Sequence, residues 1–292
     1  MPSSTGTGPP PTPTRERTIT TIIPTSTRRT GQHGELRLGL ARRGERTSIV
    51  KRYAKAPFGS VRANYPDSSG IPEVQITNPS GGILGGDLLE MEITIGPSAA
   101  ATVLTQAANK AYRGAEALQR STFRVEEGAF LEYLPHHLIP FAGSNYRQEN
   151  TFHVAEGATL ITWDACSAGR VARGERFAFS TLFGRTRISS GDIPCVVDGF
   201  DLSGVDPSDR EPFGGYSYLG TLYVLALEEL SPLAEELHAS LGSTSRVLAS
   251  ASVPEIRLCA VRILARDATA LYRALNCCRV AARTHLNVPP PA

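Results

Sequence analysis

Apolar residues recur at every second position in two separate parts of the chain. The segment 34–43 (GELRLGLARR) has leucine at positions 36, 38 and 40, with polar residues or glycine between them. The segment 88–95 (LLEMEITI) repeats this spacing with acidic residues on the opposite face. A period of two is typical of a half-buried β-strand. We therefore predict a strand in each segment.

A weak internal repeat extends this pattern through the middle of the chain. The segments FRVEEGAFL from Phe123 and FHVAEGATL from Phe152 share Phe-x-Val-x-Glu-Gly-Ala-x-Leu and lie 29 residues apart. An earlier copy, ITIGPSAAA, begins 30 residues upstream at Ile93, with Pro-Ser-Ala in place of Glu-Gly-Ala. Each copy reads as a strand, a tight turn and a second strand. Such units favour stacked, solenoid-like layers, although an ordinary sandwich of similar hairpins is the alternative.

Helix signals are confined to the last third of the chain. In SPLAEELHASLG, Ser231 is a suitable N-cap, Pro232 suits the first helical position and Gly242 suits the end. Asp267 suits the cap of a second helix whose leucines at 271 and 275 would face inward. The predicted fold is mainly β, with β-helical, stacked strands and about two C-terminal α-helices.

The ends of the chain differ in composition from the middle. Residues 1–32 are rich in Ser, Thr, Pro and Gly, which predicts a disordered tail. A transit peptide is the alternative, but the segment shows no amphipathic helical period. Residues 33–292 are predicted to form a single domain.

Composition and charge narrow the class of protein. The 292 residues are 41% hydrophobic and 20% charged, enough for a sizeable core. A net charge of +2 argues against nucleic acid as a partner. Five cysteines without a Cys-x-x-Cys pair favour a reducing compartment. No apolar run reaches the roughly 18 residues of a membrane span. We expect a soluble cytoplasmic protein.

The glycine-rich segment 78–87 (NPSGGILGGD) tests one possible chemistry. The spacing of Gly81 and Gly86 matches a phosphate loop, but Asp87 stands where that loop needs lysine. A carboxylate would repel phosphate, and a strand rather than a helix follows. We expect instead that the glycines permit tight turns and that Asp87 accepts hydrogen bonds from turn amides. No motif for a serine nucleophile is complete either.

Two polar segments offer candidate functional residues. In WDACSAGRVARGERF, the charged side chains around Arg170 and Glu175 belong either to a solvated, ion-paired loop or to part of a functional site. An inward-facing Asp164 would need a partner or an ion, because burying a lone carboxylate is costly. In TQAANKAYRG, Asn109 and Lys110 either line an interior polar path or cap a strand end.

The adjacent pairs His136–His137 and Cys277–Cys278 are weaker candidates. Neighbouring residues of a strand point to opposite faces, and neighbours on a helix project about 100° apart. We expect solvated or packed side chains at all four positions rather than metal ligands.

Five segments in this order resemble the UreD/UreH family of urease accessory proteins: NPSGGILGGDLLEMEI, TQAANKAYRG, LPHHLIPFAGSNYRQ, WDACSAGRVARGE and FGGYSYLGTLYVL. The resemblance implies a β-helical fold and a function without catalysis. Such proteins bind apo-urease, recruit UreF and the nickel-carrying GTPase UreG, and assist nickel delivery to the urease active site. It also implies a dimeric assembly within that complex, and no tightly bound cofactor.

A nickel ion in transit needs oxygen ligands that bind weakly enough to release it. Six residues at motif positions are therefore tunnel or interface candidates: Asp87, Asn109, Lys110, Asp164, Arg170 and Glu175. The three carboxylates among them are candidate transient nickel ligands. The alternative is a β-solenoid interaction module that serves a different complex. An uncharacterised enzyme would have only Asp164 and Glu175 to work with.

Overall fold

The computed structural model describes residues 31–203, 212–242 and 245–289. Residues 1–30 of the predicted tail lie outside the described residues. The strands are β1 (His33–Arg43), β2 (Arg46–Lys55), β3 (Arg62–Asn64), β4 (Glu73–Ile76), β5 (Leu88–Ile95), β6 (Ala100–Thr105), β7 (Asn109–Ala111), β8 (Ala117–Val125), β9 (Phe130–Leu134), β10 (Leu138–Pro140), β11 (Asn145–Val154), β12 (Thr159–Ser167), β13 (Thr181–Ser190), β14 (Ile193–Asp201), β15 (Tyr218–Leu225), β16 (Val247–Glu255) and β17 (Leu258–Ala265). The helices are α1 (Ser231–Leu241), α2 (Ala268–His285) and a 3-10 turn (Val171–Arg173).

The strands form two sheets. Sheet A has seven strands in the order β14-β13-β11-β8-β5-β1-β2. Sheet B has ten; its main path is β16-β17-β15-β12-β9-β6-β4-β3, and β7 and β10 pair beside it. The chain alternates between the sheets, since β5, β8 and β11 of sheet A are followed by β6, β9 and β12 of sheet B. The prediction of a mainly β fold with two C-terminal helices is confirmed.

The internal repeat corresponds to parallel strands paired in register. Phe123 of β8 lies between its counterparts Ile93 of β5 and Phe152 of β11. The rings of Phe123 and Phe152 stack with centroids 4.5 Å apart. The turns also match, because Gly128 and Gly157 adopt positive φ of 63° and 80°. Repeat-equivalent residues therefore stand above one another across sheet A.

Stacking in register sorts the inner face of sheet A into rows. One row consists of Phe123, Phe152 and Ile188, all buried in an apolar cluster between the sheets. A second apolar cluster lies further along the strands and includes the row Ala117, Tyr146 and Leu182. Two rows with polar side chains lie between these clusters. They contain Gln119 beside Gln148, and Ser121 beside Asn150 and Thr186.

The two helices cover the outer face of sheet B. Asp267 caps α2 as predicted, because its carboxylate accepts the Ala270 N–H at 2.8 Å. The predicted N-cap of α1 is wrong: the helix already includes Ser231, and Leu230 takes the cap position without a side-chain hydrogen bond. Leu230 is buried in the helix–sheet cluster, so packing rather than capping fixes where α1 begins. In the described ranges neither helix is long and apolar enough to span a membrane.

A buried ion cluster joins α2 to sheet B. Glu132 of β9 is fully buried, and its carboxylate accepts hydrogen bonds from Arg279, Arg283 and the Thr102 hydroxyl. The Arg283 Nε–Glu132 Oε1 distance is 2.9 Å, and the Arg279 Nη2–Glu132 Oε2 distance is 2.7 Å. Because all three charged side chains are largely out of water, each depends on the others for its stability in the fold.

Glu132→Gln should lower the free energy of unfolding by about 3–5 kcal/mol, because it leaves two buried guanidinium groups without a counter-charge. Urea unfolding monitored by circular dichroism measures this change. Glu127→Gln, in the exposed β8–β9 turn, is the matched control and should change stability by less than about 0.5 kcal/mol. Equal effects of the two substitutions would show that the ion cluster does not hold α2 in place.

Candidate functional site

A chain of polar side chains crosses the space between the sheets, and we call it the polar belt: Gln119, Ser121, Tyr146, Gln148, Asn150 and Asp164. The Tyr146 hydroxyl lies 3.2 Å from the side-chain oxygens of both Gln119 and Gln148. The Gln148 amide then donates to Asp164 Oδ2 at 3.0 Å. The belt separates the two apolar clusters of the interior. These side chains place oxygen atoms, which can bind a cation, in an interior that is otherwise apolar.

Asp164 carries the one carboxylate of the belt. It lies half-buried on the inner face of β12, and its other oxygen accepts the Ala165 N–H at 2.9 Å. Burial raises the pKa of Asp164 to about 6. The carboxylate also adds to the effect of burial in raising the pKa of Tyr146. At neutral pH the interior therefore holds a negative charge whose desolvation is only partly offset by two hydrogen bonds.

A small cavity lies against Asp164 at one end of the belt. Its volume is about 20 Å³, which is enough for one water-sized group. Thr186 of sheet A and Thr221 of sheet B contribute to its wall. Asp198 also lines it, and that carboxylate accepts hydrogen bonds from the Tyr223 hydroxyl and the Arg262 guanidinium. Both sheets thus supply oxygen atoms around one small space.

A larger cavity of about 240 Å³ lies at the other end of the belt. Gln119 forms part of its inner wall, and Asn109 and Lys110 lie in its lining. Gly81 and Gly82 of the glycine-rich segment line it as well, so we call it the glycine-loop cavity. The predicted polar lining by Asn109 and Lys110 therefore forms part of a cavity that reaches the belt.

Asp87 fixes the glycine-rich segment. It is 3% exposed, and its two carboxylate oxygens accept the N–H groups of Gln32 and Leu84, each at 2.8 Å. This confirms the expectation that Asp87 accepts hydrogen bonds from turn amides. Gly82 has φ of 158°, and a Cβ there would lie 2.5 Å from the Lys110 carbonyl oxygen. Close backbone approach, rather than phosphate binding, accounts for this glycine.

Arg170 and Glu175 pair with each other. Arg170 Nε donates to Glu175 Oε2 at 2.7 Å, and Arg170 Nη2 donates a second hydrogen bond to Glu175 Oε1. The Arg170 hydrogen bond holds the pKa of Glu175 below its usual value. Arg170 also lies over the Phe141 ring, 4.5 Å from its centroid. The expected ion-paired loop is confirmed, and it closes around Gly174 in the left-handed conformation.

The three candidate nickel ligands do not converge. Asp87, Asp164 and Glu175 each bind different partners, and in residues 31–203, 212–242 and 245–289 no three His, Cys, Asp or Glu side chains are arranged around a metal site. An ion held by Asp164 would have neutral oxygens around it and one further carboxylate nearby, that of Asp198, which already pairs with Arg262. This chemistry binds hard divalent ions weakly.

The paired histidines and cysteines occupy the expected ordinary environments. His136 is exposed, whereas His137 is buried and contacts the Tyr272 hydroxyl at 2.9 Å. Burial lowers the pKa of His137 to about 4, so this ring is neutral. Cys277 is exposed and Cys278 is buried in the helix–sheet cluster.

Sequence reasoning missed most of the belt, although the repeat contained a signal. Gln119 and Gln148 occupy equivalent positions four residues before the repeat phenylalanine, and Ser121 and Asn150 are equivalent two residues before it. Polar residues at positions that must face inward indicate a polar row in the core. Asn150 is 2% exposed, and its side-chain oxygen has no hydrogen-bond partner among the described residues.

Asp164→Asn should raise the free energy of unfolding at about pH 7.5 by about 1–3 kcal/mol, because it removes a poorly solvated charge. The pKa of the carboxyl is higher in the folded state than in the unfolded state. The charged carboxylate therefore costs no folding stability below about pH 4 and has its full cost above about pH 6. Urea unfolding at about pH 4 and at about pH 7.5 tests this. Asp192→Asn, on an exposed turn, is the control. A substitution effect independent of pH would contradict the buried-charge assignment.

Comparison with known proteins agrees with the sequence motifs. The family described as UreD urease accessory protein matches residues 32–292. A urease accessory protein UreD of Alkalilimnicola ehrlichii is 35% identical over 239 residues, covering 80% of each chain. One from Nostoc sp. is 33% identical, covering 80% of this chain and 84% of its own. One from Cenarchaeum symbiosum is 34% identical, covering 69% and 73%. This chain belongs to the UreD family of urease accessory proteins.

Proposed function

We propose that this chain is a non-catalytic scaffold that binds apo-urease and, with UreF and the GTPase UreG, assists nickel incorporation. Membership of the UreD family supports a urease accessory role. We further propose that the protein acts in the cytoplasm, within a complex that contains two copies of it. Nickel is then cargo, held in transit rather than as a resident cofactor.

The polar belt is the observation that carries the nickel part of this proposal. Two apolar clusters flank the belt, so the polar atoms lie in a band that runs across the strands from the glycine-loop cavity to Asp164. A hydrated divalent ion exchanges water for amide, hydroxyl and carboxylate oxygens along such a band. Because these ligands are hard and the belt offers a single carboxylate, the ion is attracted yet released.

Asn150 and Asp164 have the chemistry for the central step. The unpartnered Asn150 oxygen is an available neutral ligand, and Asp164 supplies the charge. The Gln148 amide, which donates to Asp164, would have to release that carboxylate as the ion arrives. An unsatisfied buried acceptor costs stability, and an ion or water in transit would satisfy it.

The other sequence candidates take different parts in the proposal. Asn109 belongs to the path because it lines the glycine-loop cavity. Asp87 shapes that cavity by holding the glycine-rich segment. Lys110, Arg170 and Glu175 suit an interface, since the ion pair of the last two lies in a partly exposed loop. Of the three candidate nickel ligands, Asp164 alone ligates nickel in this proposal, whereas Asp87 and Glu175 do not.

We also propose that the fold is a β-helix of stacked layers. The in-register parallel pairs of β5, β8 and β11 support it, as do the parallel pairs of β6, β9 and β12 in the second sheet. In a stacked fold the belt follows from repetition, because β8 and β11 place Gln119 beside Gln148 and Ser121 beside Asn150.

Co-expression tests the scaffold role. Tagged chain should retain apo-urease, UreF and UreG in a pull-down, and urease activation with added nickel should be lost when the chain is omitted. A chain that captures none of these proteins, with undiminished urease activation, would refute the role and favour an interaction module of another complex.

Asp164→Asn should leave the complex assembled but reduce the nickel incorporated into urease several-fold at about pH 7.5. Wild-type delivery should itself fall as the pH drops through about 6, because Asp164 becomes protonated. The variant should show no such pH step. Metal analysis of the purified urease is the readout, and Asp192→Asn is the control. Undiminished nickel in the Asp164 variant would exclude the belt as the path.

A further inference from the structure

The lining of the glycine-loop cavity carries a positive charge and no negative one. Its seventeen lining residues include Lys110 and contain no aspartate or glutamate. No carboxylate of the described residues lies within ion-pair distance of the Lys110 ammonium. The stem of this lysine packs beside Gly82, where an added Cβ would lie 3.1 Å from Lys110 Cβ. The cavity therefore presents an uncompensated positive charge next to glycine backbone.

The polar atoms around Lys110 suit an anion. Gly82 and Ala107 line the cavity, and their backbone N–H groups donate to no acceptor among the described residues. The Asn109 side chain adds a further donor without a protein partner in the described ranges. Ammonium, amide and backbone N–H donors together are the groups that hold a carboxylate in protein sites.

The floor of the same cavity is apolar. It is formed by Phe58, Ile76, Ile83, Leu89 and Met91. The volume of about 240 Å³ is below the range of drug-sized pockets. An occupant of one or two residues fits, with an aliphatic side chain toward the floor and a carboxylate toward Lys110. An internal glutamate would reach Lys110 but leave the floor largely unfilled.

We propose that the glycine-loop cavity binds the C-terminal carboxylate of a partner polypeptide that ends in an aliphatic residue. This binding site does not depend on nickel delivery. If the polar belt does carry nickel, which rests on the proposed function, the bound carboxylate would also neutralise Lys110 at the entrance. Docking of the partner and admission of a cation would then be coupled electrostatically.

Binding of small probes to the full-length protein tests the site. N-acetyl-L-leucine should shift the amide NMR signals of Gly81, Gly82 and Asn109, whereas N-acetyl-L-leucinamide should bind about tenfold more weakly because it lacks the charge. Lys110→Gln should weaken binding of the acid about tenfold, and Lys110→Arg should largely restore it. Lys51→Gln, on the exposed face of β2, is the matched control.

Three outcomes would overturn the assignment. Equal binding of the acid and the amide would remove the role of the carboxylate. Equal shifts with acetate would mean that the cavity attracts small anions without reading an aliphatic residue. Shifts of the same signals on dilution, without any probe, would show that a second copy of this chain covers the cavity. The comparison of acid and amide uses the wild-type protein, so it does not depend on how the variants fold.

Discussion

In-register parallel pairing is the constraint on which the rest of the structure depends. Once β8 lies beside β11 with Phe123 opposite Phe152, all the remaining residues of the paired segments are also fixed opposite their counterparts. The same holds for β5 beside β8. A one-residue slip would turn the apolar rows outward and the charged rows inward. Register therefore determines both where the core lies and where polar side chains enter it.

The polar belt follows from that constraint and divides the interior into two apolar clusters. A sandwich stabilised only by burial would continue its apolar rows from one end to the other. Here Gln119, Gln148 and Asn150 interrupt them, and Asp164 adds a charge whose pKa burial raises to about 6. Such a core is less stable than an apolar one of the same shape. The ion cluster at Glu132, on the opposite face of sheet B, is fully paired and serves only to attach α2.

The sequence predicted the features that depend on neighbouring residues. Strand alternation, the repeat, the turn role of Asp87 and the cap at Asp267 are all local, and the structure confirms them. It did not predict contacts between distant segments. Arg279 and Arg283 lie 147 and 151 residues from Glu132, and Gln148 and Asp164, 16 positions apart in the chain, lie on different sheets. The direction in which a side chain leaves its strand does not reveal which residue of the other sheet it contacts.

If nickel crosses the protein through the polar belt, the belt around Asp164 must accept a divalent cation between the sheets. Anomalous scattering at the nickel edge, from crystals equilibrated with nickel, measures this directly. We expect a nickel peak within coordination distance of the Asp164 carboxylate, lost in crystals of Asp164→Asn. Nickel found only at surface histidines such as His33 or His136, with none between the sheets at saturating metal, would contradict it.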